Sequence, residues 1–171
     1  METLASIVNF KQNDLKGTAP ETQRFDANNT ALFSAFNSNV DLGSQTMALL
    51  NNNIESDVAV ESAPVEVGYG QNFSVSFWHF FWIEESRDGG VVEISINDSG
   101  WVDVQEMGGV FDVGYTGYLN ENSTQSLQDR PTFSGINGNF STVIGNKERI
   151  SFGQNLNGQT VRLRFRIATD A

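Results

Sequence analysis

The clearest pattern in the chain runs from Phe73 to Ile83. Phe73, Val75, Phe77, His79, Phe81 and Ile83 fall on one face of an extended segment, and Trp78, Phe80 and Trp82 on the other. A segment so apolar on both faces predicts a central strand, covered on each side for part of its length, with Trp78 in the core. Val91 to Ile96 alternates Val92, Ile94 and Ile96 with Glu93 and Ser95. Asn97-Asp98-Ser99-Gly100 then reads as a hairpin loop into a strand over Trp101 to Val104. Thr160 to Ala168 turns Val161, Leu163, Phe165 and Ile167 to the core and Arg162, Arg164 and Arg166 outward.

Shorter strands are predicted at Ser141 to Ile144 and Arg149 to Phe152. Val58 to Val60 and Val65 to Val67 flank Pro64, which suits a bent edge strand. The first 56 residues are rich in Asn. Thr30 to Phe36 and Gln45 to Leu50 read there as strands, with a short helix at Met47 to Asn53 as the competing reading. Gly-rich loops occupy 108–117, and Asn120 to Asn139 reads as a long polar surface connection. Many short strands, turn signals and no long helical period predict an all-β chain, an antiparallel β-sandwich with little helix, as one domain over 1–171.

Composition then narrows the partners. Ten Lys and Arg against 21 Asp and Glu give a formal charge of −11. That field repels phosphate backbones and anionic membrane surfaces, so no nucleic-acid partner is expected. The absence of Cys excludes thiolate metal sites, disulfides and thiol nucleophiles. One His excludes the common zinc-hydrolase motifs. No apolar run approaches the ~18 residues of a membrane span. Met1-Glu2-Thr3-Leu4 lacks the basic and apolar regions of a signal peptide.

An ordered series of landmarks covers Ser62 to Asp170. It comprises Ser62-Ala63-Pro64, Val75-Ser76-Phe77-Trp78-His79, Asp88-Gly89-Gly90-Val91-Val92-Glu93-Ile94-Ser95 and Gly100-Trp101-Val102-Asp103-Val104. Gly114-Tyr115-Thr116-Gly117, Arg130-Pro131-Thr132-Phe133-Ser134-Gly135 and Val161-Arg162-Leu163-Arg164-Phe165-Arg166-Ile167-Ala168-Thr169-Asp170 complete it. The series resembles jelly-roll accessory modules of secreted bacterial proteins, found beside fungalysin-type and subtilisin-like peptidase domains. Their broader relatives are MAM-like and galactose-binding-like sandwiches. The resemblance implies a jelly-roll core over 57–171, leaves 1–56 uncovered, and implies an extracellular or cell-surface location. In that family a Gly-Trp strand usually follows the Arg-Phe-Arg strand. Here the chain stops at Ala171, so an open sheet edge and homo-oligomer formation through it are expected, unless the first 56 residues fill that place.

Four constellations carry candidate chemistry. Glu84, Glu85 and Asp88 form the densest acidic loop, able to supply oxygens to a structural Ca²⁺ of the kind jelly-roll modules hold; the bland reading is a solvated turn. Trp82, Trp101, Tyr115 and Tyr118, at strand ends and on Gly-rich loops, are candidates for stacking on sugar rings, with sheet packing as the alternative for the two Trp. Tyr115 and Tyr118 are preferred for their polar tips and mobile setting. Glu93 and Asp103, on adjacent strands of one hairpin, could act as a glycosidase pair. However, Glu93-Ile94-Ser95-Ile96-Asn97-Asp98 has Ser where sandwich glycosidases have their middle acid. Arg162, Arg164 and Arg166 form a cationic row expected to pair with acids such as Glu93 or Asp103, and His79 reads as a core residue. The leading expectation is a non-catalytic recognition module for a glycan or a protein surface. A strand-exchanging assembly domain and a sandwich glycosidase or lyase are the alternatives.

Overall fold

The structure is a computed structural model that describes residues 3–10, 46–51, 55–70, 72–120, 126–137 and 146–170, the first two stretches by backbone alone. The strands predicted at Thr30 to Phe36 and Ser141 to Ile144 lie outside the described residues. Those that are described hold no helix and thirteen strands: β1 (Thr3–Phe10), β2 (Thr46–Asn51), β3 (Ser56–Glu61), β4 (Val65–Glu66), β5 (Phe73–Trp82), β6 (Gly89–Ile96), β7 (Val102–Asp103), β8 (Val110–Phe111), β9 (Gly117–Tyr118), β10 (Pro131–Thr132), β11 (Ile136–Asn137), β12 (Asn146–Gly153) and β13 (Thr160–Thr169). All pairings are antiparallel. One sheet runs β2-β1-β5-β12-β8 with β11 on β5, a second runs β3-β13-β6-β7 with β4 on β13, and β9 pairs β10.

The two larger sheets face each other across one core, as the alternation requires. Val75, Phe77, Phe81, Ile150 and Phe152 from the first meet Val92, Ile94, Val161, Leu163, Phe165 and Ile167 from the second. Phe77 and Phe165 meet edge to face across the gap, ring centres 4.9 Å apart and 78° between planes. The long apolar strand is central as expected, between β1 and β12. Its outward side chains fare differently: Phe80 is buried, but Trp78, expected in the core, is only half-buried. Thr46 to Asn51 is strand rather than helix, because backbone pairing with β1 overrides the helical preference of Met-Ala-Leu-Leu.

The hairpin after β6 forms at Asn97-Asp98, whose φ values of 50° and 58° are those of a type I′ turn. Asn and Asp tolerate that left-handed region better than other side chains. The stretch Asn120 to Asn139 departs from expectation. Its described part carries β10 and β11, and Leu127, Thr132, Phe133 and Asn137 are buried. Phe133 sits 4.6 Å from His79 and 4.9 Å from Tyr115 by ring centre. Gly89 permits this crossing, since a Cβ there would lie 2.9 Å from the Thr132 side chain. Two isolated apolar anchors in a polar segment were enough to draw it inward.

The last strand, β13, is interior to its sheet, flanked by β6 on one side and by β3 and β4 on the other. The place beside it is thus filled from within the chain. The edge strand β3 is acidic, bearing Asp57 and Glu61, which blunts edge-to-edge pairing.

His79 lies in this core against Phe77, Phe81 and Phe133. Burial lowers its pKa to about 4, against a smaller upward pull from the Glu148 carboxylate. The folded value lies below the unfolded value of 6.5, so the unfolded chain takes up the proton first as pH falls. Stability fully present above pH ~6.5 is therefore lost as pH drops toward 4. Denaturant titrations at pH 7.5 and pH 5 should differ by about 2 kcal/mol in the wild type, and His79→Leu should remove most of that difference.

Candidate functional site

The outer face of the β3-β13-β6-β7 sheet concentrates the charged chemistry of the described chain. Register puts Arg164 directly opposite Glu93 on one side and Glu61 on the other, and Asp103 opposite Glu93. Glu93 is 2% exposed. Its carboxylate accepts from Arg164 Nε at 2.6 Å and Arg130 Nη1 at 3.1 Å, with Arg166 Nη1 at 3.5 Å. Burial alone would raise the Glu93 pKa, but the bonds from Arg164 and Arg130 and the Arg166 charge outweigh it and hold the group below the usual carboxylate range.

Arg130 arrives from the loop before β10 and binds both acids at once, its Nη2 reaching Asp103 Oδ2 at 3.0 Å. The Tyr115 hydroxyl donates to the same oxygen at 2.8 Å, and the Gln105 N–H donates to Oδ1 at 2.9 Å. Arg166 and Arg162 are also paired along the sheet edge. Arg166 grips Asp57 through Nε and Nη2 at 2.8 and 2.6 Å, and Arg162 bonds Glu61 and approaches Asp98 at 3.5 Å. The expected internal pairing of the arginine row therefore holds for Arg164 and Arg166 with Glu93, while Asp103 takes Arg130 instead.

Among the aromatic candidates, Trp101 lies in this face, half-buried under guanidinium groups. The Arg164 and Arg162 carbons stand 4.8 and 5.3 Å from its ring centre. Tyr115 is packed inward, its ring 4.9 Å from both Phe111 and Phe133, and burial together with the Asp103 charge pushes its hydroxyl pKa up. Its polar tip is thus engaged by the fold rather than mobile. Tyr118, in β9, is 53% exposed and donates to the Asp129 carbonyl at 2.7 Å. Trp82, at the end of β5, is 41% exposed and lies opposite Ile136, which is 61% exposed. The four candidates therefore do not form one platform: Trp82 and Tyr118 lie in strands of two different sheets, and Trp101 and Tyr115 in loops.

The acidic loop is organised around Asp88, which is 1% exposed. Its oxygens accept from the Asp170 N–H at 3.0 Å and the Glu84 N–H at 3.4 Å. Arg87 bridges the exposed Glu84 and Asp170 at 3.6 and 2.9 Å, and Glu85 points to solvent. Among the described residues no three acidic or His side chains are grouped as metal ligands. Asp88 acts in the structure as a turn clasp.

Sequence reasoning missed Arg130 and Glu148. A lone arginine before Pro131 inside a polar segment was the available signal for the first. Glu148 is 1% exposed and faces the core, where the N–H groups of Asp112, Val113 and Gly114 donate to it at 3.1, 3.1 and 2.9 Å. Gly114, at φ 98°, allows the backbone to wrap the carboxylate in this way.

Chemically, the Glu93–Asp103 pair is neutralised and fixed. A general acid needs a carboxyl kept protonated near neutral pH, whereas Glu93 is held ionised by three guanidinium groups. No protein-family model, curated protein or solved structure matches the chain.

Removing the charge of Glu93 leaves three guanidinium groups without their shared counter-ion. Glu93→Gln should destabilise the fold by about 3 kcal/mol in urea titrations, and a change below ~1 kcal/mol would show the network to be dispensable.

Proposed function

We propose that the chain is a non-catalytic recognition module that binds a glycan through aromatic faces carried on a rigid sandwich. The observation that carries this reading is Trp82, a large indole 41% exposed at the end of a central strand, with the exposed Ile136 beside it. A strand holds such a ring at fixed orientation, which lowers the entropic cost of stacking on a sugar. Tyr118, exposed on β9, offers a second flat face with its hydroxyl already anchored.

Two further features support the reading. The most enzyme-like acid pair is neutralised by arginines, so its residues are structural in role. The resemblance to accessory modules of secreted bacterial proteins points the same way and suggests work beside an attached enzyme at the cell exterior.

The test is titration of the purified chain with a panel of neutral and acidic polysaccharides, followed by tryptophan fluorescence and affinity electrophoresis. Saturable binding is expected, weakened about tenfold in Trp82→Ala with an unchanged melting temperature. Tyr115→Phe should lower thermal stability and leave affinity unchanged. Failure to bind any polymer of the panel would overturn the proposal.

A further inference from the structure

Strand β12 contains the triplet Lys147-Glu148-Arg149, in which one acid stands between two cations and leaves a summed charge of +1. The pleat separates it. Successive side chains point to opposite faces, so Glu148 enters the core while Lys147 and Arg149 stay exposed outside. Glu148 is then satisfied by backbone N–H groups, those of Asp112, Val113, Gly114 and Arg149, rather than by the cationic side chains of its neighbours. Seven of the Lys and Arg are described. Arg87, Arg130, Arg162, Arg164 and Arg166 are ion-paired, whereas Lys147 and Arg149 have no acidic partner among the described residues.

Towards β5 these two cations face polar and aromatic side chains, and on the other flank the exposed Asp112 lies beside Arg149, its N–H donating to the Arg149 carbonyl at 2.9 Å. Across the strand pair, Lys147 stands opposite Trp78, Arg149 opposite Ser76, and Ser151 opposite Ser74. Trp78 is half-buried on the outer face. Trp82 points to the same side of β5, four residues or about 13 Å further along. The outer face of β5 and β12 thus carries two indoles on either side of the buried Phe80, flanked by two cations whose strand positions are about 7 Å apart, with small hydroxyl side chains beyond them.

We propose that this face is the glycan site and that its ligand is a polysaccharide bearing spaced carboxylates, with uronate groups held by Lys147 and Arg149 and sugar rings stacked on Trp78 and Trp82. The inference rests on the glycan-binding reading above and adds its location and ligand class. Charge complementarity selects a carboxylated polymer over a neutral one. The formal charge of −11 selects against a dense polyanion, whose many charges would meet the acidic remainder of the molecule. Two local cations within a screening length of ~8–10 Å can hold isolated carboxylates without that cost.

The probes are hyaluronan oligosaccharides, carrying one carboxylate on alternate sugars, the same oligosaccharides with carboxyls reduced to alcohols, heparin, and dextran. Calorimetric titration of the full chain is expected to show hyaluronan binding that is lost on carboxyl reduction and absent with heparin and dextran. Lys147→Ser/Arg149→Ser should weaken it at least about tenfold, while Arg87→Ser, removing one exposed charge elsewhere, should leave it within about twofold. Both surface variants should keep the wild-type melting temperature. Equal binding of the reduced polymer, or affinity unaffected by the double variant, would overturn this site while leaving the recognition-module reading intact. Binding to none of these probes, nor to any member of the wider panel, would overturn both.

Discussion

The carboxylate of Glu93 is the constraint around which one side of this molecule is arranged. An ionised group 2% exposed on a sheet face cannot be left with the solvation of one neighbour. Its charge is compensated by Arg164 and Arg166 from the adjacent strand and by Arg130 from a distant loop. Arg130 cannot serve Glu93 without also meeting Asp103, which stands opposite it in the β6–β7 register. Asp103 in turn accepts from Tyr115, and Tyr115 packs on Phe133. A single buried charge thereby couples two loops, three strands and the seam of the hydrophobic core.

The opposite sheet solves a similar problem by other means. Glu148 is as deeply buried as Glu93, yet no guanidinium reaches it among the described residues; the backbone N–H groups of Asp112, Val113, Gly114 and Arg149 take that role. The difference has consequences for the surface. Where arginines compensate the buried acid, they are consumed in doing so and the face is electrically closed. Where backbone dipoles compensate it, the neighbouring cations Lys147 and Arg149 remain exposed to solvent.

Much of this architecture is legible in the sequence because the pleat has a period of two. The alternation in Phe73 to Ile83, Val91 to Ile96 and Thr160 to Ala168 identifies the central strands and their buried faces, and the Arg162-Arg164-Arg166 row announces acids on its neighbours. Element boundaries moved by a few residues, as local pattern alone does not fix where pairing ends. What stayed hidden depends on contacts between distant segments. The isolated position of Arg130 before Pro131 marks the residue but not its partners Glu93 and Asp103, and nothing near Phe133 signals that its ring will lie against His79. Tyr115 misled for the same reason: its Gly-rich flanks suggest a mobile tip, but the partner that anchors its hydroxyl lies twelve residues away in another strand. The composition of the acidic loop shows its charge but not that Asp88 is buried and that one of its two N–H donors, Asp170, comes from 82 residues away.

Net charge is the property most easily misread from a sum. A value of −11 describes the field far from the molecule, and there it repels dense polyanions. Close to the surface, what counts is which charges have partners, and strand geometry decides that residue by residue. Five of the seven described cations are tied to acids of the fold. The two without an acidic partner among the described residues lie in a triplet whose summed charge is only +1. Their exposure follows from a single parity: shift β12 by one residue and Glu148 would stand outside while Lys147 and Arg149 were driven into the core, at a desolvation cost of several kcal/mol for each cation. The apolar residues Ile150 and Phe152, buried on the same face as Glu148, forbid that slip. The hydrophobic pattern of β12, which carries no ligand chemistry itself, is therefore what leaves this protein with a local cationic surface inside a strongly acidic whole.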